Sequence, residues 1–202
     1  MILKAEDKHL DIVSEITQQT ISEIYPHYYP MGAVEFFKAH HKDSNILADI
    51  KKGIVYLLKY NDDFVGTVTI KDNEICRLFV LPKFQHKGYG KELIDYAERV
   101  ILKNHSEIIL DASMSAKNIY KMRGYKETEY NQIITESGDI LCYDVMKIVS
   151  FNGIAYSIQV IFGARMRRRA GSIGAVPVPG FSRLGSPAEK GGGTLGVPAY
   201  LR

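Results

Sequence analysis

The chain has 202 residues, 46% hydrophobic and 24% charged, a balance typical of a soluble globular protein with one sizeable core. Its formal net charge of +3 hides an asymmetry: residues 151–202 hold seven Lys/Arg and one Asp/Glu, leaving 19 basic against 22 acidic side chains in the first 150. A nucleic-acid reading based on overall charge would therefore rest on the tail alone.

Two cysteines, Cys76 and Cys142, make no disulfide framework, so they are expected as buried apolar thiols and a reducing cytoplasm as the setting. Of the six histidines only His40 and His41 are neighbours. Adjacent positions on a helix face different directions, and no metal site is expected.

Residues 2–5 read as a short first strand. Leu10, Val13, Ile16, Thr17, Ile21 and Ile24 recur at three- and four-residue steps, which predicts an amphipathic helix from Asp7 to Ile24. Pro26 and Pro30 bracket His27-Tyr28-Tyr29 and stop it. A second helix is predicted from Gly32 to His41 and a third from Ser44, as N-cap, to Lys52. Three strands follow, over 54–60, 64–70 and 74–81, separated by the turn residues Asn61-Asp62-Asp63 and Lys71-Asp72-Asn73; such short turns imply an antiparallel meander.

The next stretch organises the chain. Arg77 to Leu81 is an apolar strand stopped by Pro82, Lys83 to Gly90 is a basic loop with two glycines, and a helix opens at Lys91-Glu92-Leu93. A glycine loop feeding a helix N-terminus presents free backbone N–H groups and positive dipole, which makes a phosphate cradle. No third glycine follows at dinucleotide spacing and no Gly-Lys-Ser/Thr is present, so the Rossmann and P-loop patterns are excluded.

Leu93, Ile94, Ala97, Val100 and Ile101 give that helix a buried stripe. Ile108-Ile109-Leu110 is a short interior strand, parallel to the one before the crossover. A helix over 116–123, capped by Ser113 or Ser115 and ended by Gly124, leads to two last strands, 125–135 and 140–149, around a Ser137-Gly138-Asp139 turn. The expected class is α/β of the α+β type: a mixed, mostly antiparallel sheet flanked by helices.

The domain is expected to span 1–149. Residues 150–202 contain ten of the 17 glycines and four of the seven prolines and read as a basic extension, disordered or not native to the domain. The apolar run 148–164 is short and interrupted against the ~20 residues of a membrane span, so no membrane anchor is expected, and the Arg165–Arg169 cluster reads as solvated rather than nucleic-acid-binding.

Gln85-His86-Lys87-Gly88-Tyr89-Gly90 fits a (Gln/Arg)-x-x-Gly-x-(Gly/Ala) pattern, and Ala116 to Tyr125 resembles an Asn-x-x-Ala-x-x-x-Tyr-x-x-x-Gly-(Phe/Tyr) segment, with Ser113 where the asparagine would stand. Together these resemble the GNAT superfamily of acetyl-CoA-dependent N-acetyltransferases over roughly residues 1–149. The resemblance implies acetyl-CoA as cosubstrate. Leu78, Phe79 and Val80 would supply strand backbone for the pantetheine, and Gln85, His86, Lys87, Gly88, Tyr89, Gly90 and Lys91 would surround the pyrophosphate. It also implies Tyr120 as the group that protonates the leaving thiolate.

The chemistry asks for more. An ammonium must lose a proton before it attacks a thioester, so a base is needed; Glu74, at the start of the central strand, is the candidate. Tyr28, Tyr29, His40 and His41 lie in the region that covers the acceptor site in this fold, and Tyr28 and Tyr29 are the substrate-binding candidates. The function expected is acetyl transfer to a primary amine, a small molecule or peptide, by direct attack in a ternary complex. The alternative is an acyl-CoA-binding sensor that kept the cradle and lost turnover. A homodimer is compatible with the sequence.

Overall fold

Alternation along the strands and three- and four-residue steps along the helices leave each element one apolar face to bury, and the computed structural model, which describes residues 1–151 and 154–155, shows where each goes. β1 (Ile2–Lys4) leads to α1 (Leu10–Ile24), α2 (Met31–His40) and α3 (Asp43–Lys51). The meander β2 (Val55–Tyr60), β3 (Asp63–Lys71) and β4 (Glu74–Val80) is followed by α4 (Tyr89–Ile101), β5 (Glu107–Ser113), α5 (Lys117–Met122), β6 (Lys126–Ile134) and β7 (Ile140–Phe151). A two-residue β8 (Ile154–Ala155) folds back onto the end of β7. The sheet order is β1-β2-β3-β4-β5-β7-β6. All these neighbours are antiparallel except β4 and β5, which the α4 crossover makes parallel. The sheet is thus mixed and mostly antiparallel, as expected.

Two cores form, one on each face. Val13, Ile16, Phe37 and Ile46 of α1–α3 pack on Val55, Leu57, Phe79 and Leu81. On the other face Leu93, Ile94, Ala97 and Ile101 of α4 pack on Val65, Val68, Val80, Ile108 and Leu110. Gly66 permits that approach, because a Cβ there would lie 2.8 Å from the Phe79 carbonyl oxygen.

The structure corrects several local expectations. Asp7–His9 form a 3-10 turn before α1 begins. Ser44 is not an N-cap: α3 starts at Asp43 after Lys42, with no capping side chain. Neither Ser113 nor Ser115 caps α5; their hydroxyls bond each other at 2.9 Å, and Ala116 precedes the helix. Strand pairing continues past Val149 to Phe151, with Ser150 N–H donating to Ser106 O at 2.7 Å. The other expectations for the extension lie outside the described residues. Among the described residues no helix is long and apolar enough to cross a membrane.

Candidate active site

The site begins where β4 and β5 separate. They pair only at Glu74–Ile109 and Ile75–Leu110. At that point β4 carries a bulge, since Ile75 faces Ile70 and Arg77 faces Thr69, with Cys76 the extra residue. A bulge bends its strand and often stands beside a functional site. Beyond it β4 has one unpaired edge. Val80 O, on that edge, accepts from Gln85 Nε2 at 3.0 Å and Thr20 Oγ1 at 3.3 Å. Leu78, two residues earlier, presents its N–H and C=O in the same direction by the alternation of an antiparallel ladder.

The cradle lies at the end of this edge. Gly88 precedes α4 with φ +90°, a left-handed conformation that costs a side chain strain, and His86 holds φ +60° without being glycine. Nothing lies within 4 Å of where a Gly88 Cβ would be, so the loop surface is open for close approach. The first intrahelical donor is Glu92 N–H, to Gly88 O at 3.1 Å. The N–H groups of Tyr89, Gly90 and Lys91 are the helix's free donors, a ready anion site.

A cleft of about 320 Å³ joins the edge to the cradle. Of the residues expected at the cofactor, Leu78, Phe79, Val80, Gln85, His86, Gly88, Gly90 and Lys91 line it. Lys87 and Tyr89 do not. The Lys87 ammonium lies 5.4 Å from the centre of the Phe84 ring, and Tyr89 packs on Tyr60 with ring centres 5.2 Å apart. Lys91 is also tied at 2.6 Å to Asp95. The donors left for a phosphate here are backbone amides more than lysines.

Tyr120, on α5, lines this cleft and also a second cavity of about 50 Å³, which Tyr25, Phe37 and His41 wall on the helix side. The two share Tyr25, Leu78, Phe79, Ala116 and Tyr120. Burial raises the Tyr120 phenol above its ordinary value, so it stays protonated. Its hydroxyl has no hydrogen-bond partner among the described residues.

The second cavity holds a residue that the sequence pattern did not single out. β5 continues past Leu110 to Ser113, and its alternation buries Ile108, Leu110 and Ala112 on the α4 side. Asp111 therefore faces the α1–α3 side and lines the cavity. It has no hydrogen-bond or ion-pair partner among the described residues. Burial first, then the charges of Glu74 and Glu129, push its carboxyl up to about 7. Tyr143 beside it is pushed up to about 12 by burial and by Asp111 and Glu129.

Glu74 itself stands at the closed end of the β4–β5 pair and is not among the residues lining either cavity. Burial raises its pKa, and its charge acts on Asp111. Cys76 lines the small cavity, and its half-buried thiol is pushed up to about 12, chiefly by burial, which removes its nucleophilicity.

Of the substrate-binding candidates, Tyr28 is half exposed and lines neither cavity. Tyr29 is buried and committed: its hydroxyl donates to Cys142 O at 3.0 Å and accepts from Met114 N–H at 2.7 Å. It ties the β5–α5 loop to β7 and lines neither cavity. His41 does line the small cavity. His40 stacks on Phe36 instead. Arg77, 5% exposed, supports His41 from below through Nε, and satisfies Nη1 on Thr69 Oγ1 at 3.0 Å and Nη2 on Asp49 at 3.1 Å.

An open strand edge leading to a helix-terminal anion cradle, with a protonated tyrosine at the junction, fits the elongated shape and charge of an acyl-coenzyme A. Residues 14–138 match the acetyltransferase (GNAT) domain family, and the chain belongs to it. It is an acyltransferase with acetyl-CoA as its cosubstrate. The fold is similar to a GCN5-related N-acetyltransferase from Rhodopseudomonas palustris (TM-score 0.68, 19% identity, 75% of this chain and 95% of that one). It is similar to the PaiA N-acetyltransferase of Thermoplasma acidophilum, solved with coenzyme A (TM-score 0.58, 20% identity, 73% and 96%). It is also similar to YncA of Salmonella typhimurium, solved with acetyl-CoA (TM-score 0.57, 14% identity, 78% and 98%). No curated protein matches significantly.

Proposed function

We propose that the protein transfers acetyl from acetyl-CoA to a primary amine by direct attack, with the acceptor entering from the α1–α3 side. The observation that carries this reading is the junction of the two cavities at Leu78 and Tyr120, where β4 leaves β5. The thioester arrives along the free edge of β4. The acceptor arrives through the cavity that Asp111 lines.

Each step has a residue suited to it. Asp111, poised at about 7, takes a proton from the incoming ammonium and frees the nitrogen lone pair. The nitrogen attacks the thioester carbonyl, and the Leu78 N–H on the open edge is suited to donate to the oxyanion. As the C–S bond breaks, Tyr120 donates its hydroxyl hydrogen bond to the sulfur. A thiol of pKa ~8.5 leaves readily, and a phenol raised above its ordinary value is a poor source of a whole proton. Tyr120 therefore stabilises the thiolate by hydrogen bonding, and the nitrogen's second proton leaves to water, because Asp111 already carries the first. Glu74 contributes by holding Asp111 basic.

Thiol release from acetyl-CoA across a panel of amines tests the reading. Tyr120→Phe is expected to lower kcat about a hundredfold, the effect of removing one transition-state hydrogen-bond donor. Tight coenzyme A binding with no release for any amine would replace this reading with that of an acyl-CoA sensor.

A further inference from the structure

The small cavity limits what kind of amine reaches the thioester. Its volume is about 50 Å³, a third of the ~150 Å³ that accommodates a benzene ring, which leaves room for about two non-hydrogen atoms. Five aromatic side chains, Tyr25, Phe37, Phe79, Tyr120 and Tyr143, share its walls with polar groups that include His41 and Ser113. Several of these rings brace one another, with Tyr25 edge-on to Phe37 at 4.7 Å and tilted against Phe79 at 6.4 Å, so the walls are stiff. The rings are buried, and Tyr25 in particular is raised to about 12 by burial and remains an uncharged wall.

One carboxylate, Asp111, lines this aromatic space without a cation of its own among the described residues. The guanidinium that also lines it, Arg77, is spent on Asp49, Thr69 and His41. Aromatic faces around an unpaired carboxylate attract a compact cation that sheds its water on entry. A methylene and a nitrogen fill the available volume; a branch at the carbon bearing the amine does not fit.

From this we infer that the acceptor is an amine on an unbranched carbon, the –CH2–NH3+ end of an alkylamine, polyamine or lysine side chain, and not an α-branched amine such as a peptide N-terminus. The inference rests on the acetyl-transfer reading and narrows its acceptor. The tail of the acceptor runs out of the cavity, so its length is unrestricted while its tip is not.

The test compares n-propylamine with isopropylamine, which have similar basicity and apolar area and differ in the branch. The expected kcat/KM is at least tenfold higher for n-propylamine. Further substrates identify the source of the shared tip. 1,5-Diaminopentane against Nα-acetyl-lysine amide separates a free polyamine from a lysine side chain, and alanine amide, which offers only an α-amine, is expected to turn over least. Phe37→Leu, which opens the wall, is expected to raise the relative rate of isopropylamine, with thermal unfolding checked alongside. Equal or faster turnover of isopropylamine or alanine amide would overturn the inference and leave acetyl transfer standing. No thiol release with any amine, despite bound coenzyme A, would instead overturn both.

Discussion

Arg77 donates from Nε to Nδ1 of His41 at 3.2 Å, and both side chains line the small cavity. A guanidinium has no lone pair to offer, so Nδ1 must be the acceptor and the imidazole proton sits on Nε2. Burial, then the Arg77 and His40 charges, depress the His41 pKa well below its ordinary value. The linkage has one sign: native His41 stays neutral where an unfolded histidine, of pKa ~6.5, takes a proton. The stability it contributes is present above that pH and lost as pH falls below it.

Arg77→Met is expected to cost about 1–3 kcal/mol, because it leaves His41 Nδ1 and the Thr69 hydroxyl without their donor, while Asp49 keeps its pairing with Lys52 at 3.3 Å. It should also move the His41 titration upward, though still below an exposed histidine because burial is the larger cause. Denaturant melts and the imidazole NMR titration measure the two effects; an unmoved His41 titration would refute the pairing's role.

Asp111→Asn is expected to lower kcat/KM by 10²–10⁴-fold and to flatten the acidic limb of its pH profile near 7. Burial and the charges of Glu74 of β4 and Glu129 of β6 disfavour its ionisation, and Arg77, His41, Cys76 and Tyr143 share the cavity with it. Its folded pKa is raised, so it stabilises the protonated native state at low pH and that stability is lost as pH rises from about 4 toward about 7. The asparagine variant should therefore melt close to wild type at pH 4 and above it at pH 8. A wild-type melting advantage at pH 8 would contradict the assignment.

Tyr29→Phe separates a structural tyrosine from a substrate-binding one. It leaves Met114 N–H and Cys142 O without their partner, a loss of about 1–3 kcal/mol. KM for the acceptor should hold within about twofold, as Tyr29 lines neither cavity. A stable variant with a large rise in KM would return Tyr29 to the acceptor site.

Gly88→Ala tests the cradle. Space is open around the new Cβ, so the cost is the left-handed backbone alone, ~1–2 kcal/mol. If the loop relaxes to escape it, coenzyme A affinity falls by about tenfold, read by calorimetry. Gly66→Ala, which collides with the Phe79 carbonyl, should instead lower the melting temperature.

Much of this was legible in residue order. The glycine loop after an apolar strand, the α4 stripe and the Tyr120–Gly124 offset are local patterns, and local patterns survive folding. Asp111 was missed because the apolar run Ile108–Leu110 looks like a complete strand, while the further residue pairs of β5 depend on β7 lying alongside. Glu74 was favoured for its place at a strand start, which says nothing about where that strand loses its neighbour. The burial of Tyr29 was not legible, because an aromatic between prolines looks like a surface wall and its hydroxyl's partners are 85 and 113 residues away in sequence.

Two residue pairs are the whole of the hydrogen-bonded pairing between β4 and β5. Within the sheet the β1–β4 half and the β5–β7 half meet at a short seam, and α4 on one face and the Tyr29 hydrogen bonds on the other carry the rest of the connection. An extended arm laid along the open edge of β4 would work as a missing strand, carrying load across the gap. The cosubstrate would then be part of the scaffold while it is bound, and each departure of coenzyme A would loosen the walls of the acceptor cavity and let the acetylated product go.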